Sequence, residues 1–193
     1  MSKPPLTPSP SQTAGPFFRL GLTGPRSVGS IVGPGIDGQR VRLICRILDG
    51  DGVPVNDALI EIWQADAEGR YHHPDDPRSP SGNPGFLGFG RQETNEDGTC
   101  SFETLRPGRV PGPDNQFQAP HLNCSVFARG LLKQLTTRIY FNQDPANSAD
   151  PILRLVPQER RDTLMAREHP DQWGAWHMNI HLSGERETVF FDV

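Results

Sequence analysis

The chain has 193 residues and a formal net charge of −4 at neutral pH. It is long enough for one domain with a sizeable core, and it lacks the positive charge that nucleic-acid binding requires. No apolar run approaches the ~20 residues that cross a bilayer, and the N-terminus lacks the basic-then-apolar pattern of a secretory signal, so we expect a cytoplasmic protein with no membrane contact. The 20 Gly and 20 Pro favour many turns between short strands and a few long loops.

The first half of the chain predicts an arm followed by strands. Residues 1–16 are rich in Pro and Ser and predict an N-terminal arm that does not fold alone, so residues 17–193 are expected to form the folded domain. The alternating segments RVRLICRIL (40–48) and DALIEIWQA (57–65) predict two strands. GFGRQET and TCSFET flank the turn NEDG and predict a hairpin.

The second half of the chain predicts further strands and one helix. Polar and apolar residues alternate, as they do in strands, in the segments HLNCSVFA and QLTTRIYF. A closing hairpin around Gly184 is predicted from the last two segments, WHMNIHLSG and ETVFFDV. PQERRDTLMAREH predicts the helix, which starts at Pro157 because proline suits a first helical turn. About eight short strands and one helix predict an all-β fold, an antiparallel β-sandwich with long loops and one short helix.

The segment QAPHLN (118–123) contains the first histidine of a pattern that is typical of metal-binding strands. His121 and Asn123 would face the same way on a strand, and a second histidine in place of Asn123 would put two imidazoles side by side.

His177 and His181 could share an ion on a helix, but apolar residues alternate with them, so we expect a strand that holds them ~13 Å apart. Motif spacing alone therefore predicts no complete active site.

Several segments resemble the intradiol ring-cleavage dioxygenases, over about residues 11–193. These segments are LIEIWQADAEGRYHH (59–73), FGRQETNEDGTCSFETLRPG (89–108), APHLN (119–123) and RIYF (138–141). The resemblance implies the family's ferric site of two tyrosinates and two histidines, a donor set that suits a hard cation.

The same resemblance places the four ligand positions at Tyr71, Val110, His121 and Asn123. It also places the family's arginine, which lies three residues before the first histidine, at Gln118. Two of the four ligands and the arginine are therefore absent. We expect no metal in this chain, and we interpret the four positions as the remnant of a metal site, in which Tyr71 and His121 have buried hydrogen-bonding roles.

The ends of the chain, SQTAGPF and ETVFFDV, resemble the alpha chain of those family members that pair homologous alpha and beta chains. This implies that Fe(III) resides in a partner beta subunit, that alpha–beta protomers form a larger oligomer, and that this chain is inactive alone. It also implies that the chain lines the partner's pocket for a small aromatic substrate, 3,4-dihydroxybenzoate, through Arg138, Thr13, Ala14, Gly15 and Pro16.

Each of these implied roles has an alternative. A guanidinium suits a substrate carboxylate, but Arg138 on its own also fits an ion pair within this chain. Residues 13–16 fit a turn that packs on its own domain. The alternative function is a β-sandwich binding module with no enzymatic partner.

Overall fold

The computed structural model describes residues 8–78 and 85–192, and within them strands dominate. This confirms the predicted all-β class. One α-helix among these residues, α1, runs Pro16–Leu22. The strands are β1 Arg40–Leu48, β2 Leu59–Trp63, β3 Phe89–Glu93, β4 Thr99–Leu105, β5 Val110–Pro111, β6 Phe117–Gln118, β7 His121–Phe127, β8 Leu135–Phe141, β9 Met165–Glu168 and β10 Ala175–His181.

Eight strands follow one another in the order β3-β2-β7-β8-β9-β10-β1-β4, and β5 pairs with β6 separately. The short strand β9 pairs with both β8 and β10, so it joins two layers, β3-β2-β7-β8 and β10-β1-β4. Most pairs are antiparallel, but β1 runs parallel to β10 and β8 runs parallel to β9. Single bridges from Val28 to Arg91 of β3 and from Ser30 to Glu103 of β4 nearly close the remaining edges.

The core lies between the two layers, and strict alternation of side chains builds it. In β1 the residues Val41, Leu43, Cys45 and Ile47 are buried. In β7 the inward residues Leu122, Cys124 and Val126 belong to the same apolar cluster. Because a strand turns successive side chains to opposite faces, the polar residues between them lie on the outer face of each layer.

The predicted hairpin around NEDG is wrong. β3 pairs with β2 and β4 pairs with β1, so the turn carries the chain from one layer to the other. The closing hairpin is only partly formed. The chain reverses at Gly184, whose carbonyl accepts from Glu187 N at 3.0 Å, but Phe191 then bridges to Thr136 of β8. A local turn signal does not specify which strands pair, because pairing is decided by burial against the rest of the fold.

The predicted helix at Pro157 is also misplaced. Residues Gln158–Leu164 form a 3-10 helix in place of an α-helix, and the following segment is strand β9. Pairing with β8 and β10 overrides the weak helical preference of that segment. The α-helix instead begins at Pro16, where proline occupies the first turn, at the end of the predicted arm. Within the residues described, no helix is long and apolar enough to cross a membrane.

The boundary between an arm at residues 1–16 and a domain at 17–193 stays a prediction. Residues 1–7 and 193 lie outside the described residues, as does the stretch 79–84 between β2 and β3.

Gly90 lies in β3, and side chains from both layers surround it. A Cβ there would come within 2.9 Å of Ile62 Cγ1 and of Phe102 Cδ1. We expect Gly90→Ala to lower the free energy of unfolding by ~1–3 kcal/mol, because overpacking displaces well-packed neighbours. Urea denaturation of the purified protein measures this.

Gly21→Ala in α1 is the matched control. An added Cβ at Gly21 meets no atom within 4 Å, and alanine favours a helix over glycine, so the free energy of unfolding should be unchanged or higher. An equal loss in both variants would contradict the packing argument.

Candidate functional site

Strand pairing brings four polar side chains together on the outer face of one layer. In the antiparallel pair β7–β8, His121 lies opposite Tyr140 and Asn123 lies opposite Arg138. Residues directly opposite each other in such a pair present their side chains on the same face. The intervening residue Leu122 is fully buried in the core, so these four side chains point away from it.

Tyr71 joins this group from the loop after β2. Its ring stacks on that of Trp63, with ring centroids 6.0 Å apart and planes 6° apart, and Trp63 pairs with Asn123. Burial raises the pKa of Tyr71, while the charge of Arg138 and the amide of Asn123 act in the opposite direction. Tyr71 is therefore a neutral phenol close to Asn123 and Arg138.

His121 is buried and neutral. Its Nδ1 lies 2.8 Å from the carbonyl oxygen of Ala119, and because a carbonyl only accepts, Nδ1 carries the proton. Burial, and then the charge of Arg138, lower the pKa of His121 to about 4. An imidazole whose Nδ1 donates to a carbonyl has the orientation of a metal-binding histidine, so His121 retains the geometry of a ligand.

Val110 completes the set of remnant positions. It lies in β5, is 3% exposed and lines a cavity of about 800 Å³ together with Tyr71 and Trp63. The four remnant positions, Tyr71, Val110, His121 and Asn123, are thus neighbours in space.

These residues do not fit a ferric ion. The valine has no donor atom, and the neutral amide of Asn123 does not replace an imidazole beside a hard cation that prefers anionic oxygen. Across residues 8–78 and 85–192, no group of three or more His, Cys, Asp or Glu side chains could hold a metal.

Gln118 occupies the position of the family's arginine, and the guanidinium of Arg138 lies beside it. Its Nη1 donates to Gln118 Oε1 at 2.6 Å and to Tyr140 Oη at 3.4 Å. The positive charge is therefore present near the remnant positions, but it comes from β8. None of the ion pairs among the described residues includes Arg138, so the alternative of an internal ion pair has no support.

Tyr140 and Asp150 are site residues that the sequence reasoning missed. Tyr140 Oη donates to Asp150 Oδ1 at 3.3 Å, and both residues are fully buried. Burial raises the pKa of Tyr140, so it stays a neutral phenol. The spacing in RIYF places Tyr140 on the same face as Arg138, and that alternation was the available signal. Nothing local pointed to Asp150.

Residues 13–16 lie near the turn between β7 and β8. Thr13 Oγ1 accepts a hydrogen bond from Gly130 N at 2.7 Å, and Thr13, Ala14 and Gly15 line a cavity of about 330 Å³ with residues of that turn. The side chain of Pro16 lies outside the description. In this single chain the segment packs on its own domain. Among the described residues, the contacts given for it do not include Arg138.

Comparisons with known proteins found a matching family model and two similar chains. Residues 32–184 match a family model described as Dioxygenase. The protocatechuate 3,4-dioxygenase alpha chain of Burkholderia cepacia is 40% identical over 97% of this chain and 98% of its own length. The protocatechuate 3,4-dioxygenase beta chain of the same organism is 38% identical over 67% of this chain and 56% of its own length.

A solved structure shares the fold. The dioxygenase domain of a dioxygenase–carbohydrate-binding fusion from Streptomyces sp. SirexAA-E superposes with a TM-score of 0.61 over 92% of this chain and 99% of its own, at 24% identity.

We expect the chain purified alone to hold no stoichiometric iron and to be colourless. Val110 and Asn123 lack the donor atoms that a ferric site requires, and a tyrosinate bound to ferric iron would absorb visible light. Metal analysis and a visible spectrum after incubation with iron and dialysis against a chelator measure this. About one iron retained per chain would contradict it.

Proposed function

This chain belongs to the intradiol ring-cleavage dioxygenase family, and from that premise we propose that it is the non-catalytic alpha subunit of a heteromeric protocatechuate 3,4-dioxygenase. That enzyme uses O₂ to cleave 3,4-dihydroxybenzoate between its two hydroxylated carbons and forms 3-carboxy-cis,cis-muconate. The observation that carries the proposal is the likeness to an alpha chain over almost the full length of both proteins.

The ferric iron belongs to the partner beta subunit. A ferric ion bound there would supply the Lewis-acid and redox chemistry for the reaction of the catechol with O₂. Of the four remnant positions in this chain, Val110 and Asn123 offer no suitable donor, and Tyr71 remains a neutral phenol. The chain therefore contributes binding groups and shape to the pocket, and no redox chemistry.

Arg138 binds the carboxylate of the substrate across the subunit boundary. A guanidinium matches a carboxylate in geometry and charge. Among the residues that the structure describes, the Arg138 side chain donates to two neutral groups, Gln118 and Tyr140. Thr13, Ala14, Gly15 and Pro16 line another part of the partner's pocket. An added Cβ at Gly15 would meet no atom within 4 Å, so the backbone there is open to a partner's ligand.

The surface beside this segment suits a permanent subunit contact. Phe17 is 83% exposed and Leu20 is 59% exposed on α1, and Leu132 is 63% exposed on the nearby turn. Exposed apolar side chains grouped in this way are typical of obligate interfaces. We assign this surface to the homologous beta subunit, with alpha–beta protomers assembling into a larger oligomer.

Co-expression with a homologous beta-type chain tests the function. We expect a stoichiometric complex that consumes O₂ in the presence of 3,4-dihydroxybenzoate, whereas this chain alone consumes none. Size-exclusion chromatography and an oxygen electrode measure the two properties. Failure to form a complex, together with a stable monomer, would favour the alternative of a binding module without an enzymatic partner.

Arg138→Gln in that complex tests the substrate contact. The carboxylate is remote from the bond that breaks, so the contact is of similar strength in ground and transition states, and its loss raises KM while kcat stays nearly constant. A hydrogen bond to a charged group is worth roughly 1.5–3 kcal/mol, which corresponds to about a ten- to hundredfold rise in KM for 3,4-dihydroxybenzoate.

Catechol and Arg46→Gln provide the controls. Catechol has no carboxylate, so its KM should barely change. Arg46 is exposed on β1 in the other layer, so Arg46→Gln removes the same charge far from the proposed contact. Equal weakening of both substrates by Arg138→Gln would make Arg138 a structural residue.

A further inference from the structure

Arg138 differs from Arg91 and Arg106, which are also partly buried, in the charge of its partners. Arg91 pairs with Glu61, and Arg106 pairs with Asp144 at 2.7 Å. Arg138 Nη1 instead donates to the amide oxygen of Gln118 at 2.6 Å and to the hydroxyl of Tyr140 at 3.4 Å. These two neutral acceptors orient the guanidinium of Arg138 and leave its positive charge in place.

Gln118 is itself held in a definite orientation. Its Nε2 donates to the carbonyl oxygen of Pro111 at 2.9 Å. A carbonyl cannot donate and a guanidinium cannot accept, so only one orientation of the amide satisfies both neighbours. The Pro111 carbonyl therefore turns Gln118 Oε1 toward Arg138.

The buried carboxylate of Asp150 does not neutralise Arg138 directly. Asp150 accepts from the backbone N–H groups of Ala119 at 2.7 Å, Ile152 at 2.9 Å and Leu153 at 2.7 Å. The Tyr140 hydroxyl stands between Asp150 and the guanidinium. The charge of Asp150 is thus taken up mainly by backbone amides.

We propose that Gln118 is a positioning residue that determines specificity for a carboxylated substrate. It aims Arg138 through a neutral acceptor and so leaves the positive charge for the ligand. The inference rests on the proposed function, since it takes Arg138 to be the group that meets the substrate carboxylate. Neutrality is the decisive property, because a glutamate has nearly the same size and could accept the same hydrogen bond while cancelling the charge.

Two substitutions in the alpha–beta complex separate this role from a structural one. Gln118→Glu keeps an acceptor and adds a negative charge, whereas Gln118→Leu removes the acceptor and leaves Arg138 charged. We expect Gln118→Glu to raise KM for 3,4-dihydroxybenzoate relative to catechol by about tenfold, and Gln118→Leu to raise it less. The Gln118→Glu complex exchanges the hydrogen bond to Pro111 for an ion pair with Arg138, whereas the Gln118→Leu complex loses both contacts, so the Gln118→Leu complex should have the lower melting temperature of the two. A structural role predicts the opposite order of the KM effects, with Gln118→Leu the more damaging variant.

Gln172→Glu is the matched control, since it adds the same charge at an exposed turn before β10 and should leave the KM ratio unchanged. A Gln118→Glu complex with an unchanged KM ratio, in an enzyme where Arg138→Gln does raise KM, would overturn the role of Gln118 and leave the proposed function intact. No effect from Arg138→Gln would overturn the role of Arg138 and the inference with it.

Discussion

The register of β7 against β8 is the constraint on which the site depends. It places Asn123 opposite Arg138 and His121 opposite Tyr140, so a single ladder of backbone hydrogen bonds sets the positions of four polar side chains. A slip of one residue would turn every one of them into the core. The inward residues Leu122, Cys124 and Ile139 are at most 1% exposed, and their burial prevents such a slip. The apolar core therefore positions the polar site.

The four remnant positions lack the chemistry of a metal site, and the charge of Arg138 from β8 lies beside them. A ferric centre would need anionic oxygen donors and two imidazoles, and these four positions offer one neutral phenol and one neutral imidazole. A guanidinium on a strand provides a fixed charge that needs no metal and has no redox activity. Such a group is suited to holding a carboxylate in place, which is consistent with a subunit that shapes a pocket and leaves the oxidation to its partner.

The two parts of the proposed substrate site contact different regions of this chain. Residues 13–15 contact the turn between β7 and β8, whereas Arg138 contacts Gln118 and Tyr140 farther along the strand. The proposed pocket would include both together with a surface of a second chain. Exposed Phe17 and Leu20 next to the arm provide an apolar area that such a chain would cover.

The sequence by itself determined several of the strands and the residue types at the four remnant positions. The alternation in RVRLICRIL matches β1 to the residue, because a half-buried strand requires a period of two. Val110 and Asn123 ruled out a ferric site by residue type alone. Three outcomes were decided only by the tertiary structure. The turn NEDG crosses from one layer to the other, and the predicted helix is a 3-10 helix followed by β9. Arg138 also contacts Gln118. These outcomes depend on contacts between segments distant in the chain, and the burial energy of those contacts outweighs the weak local preferences that a sequence pattern reports.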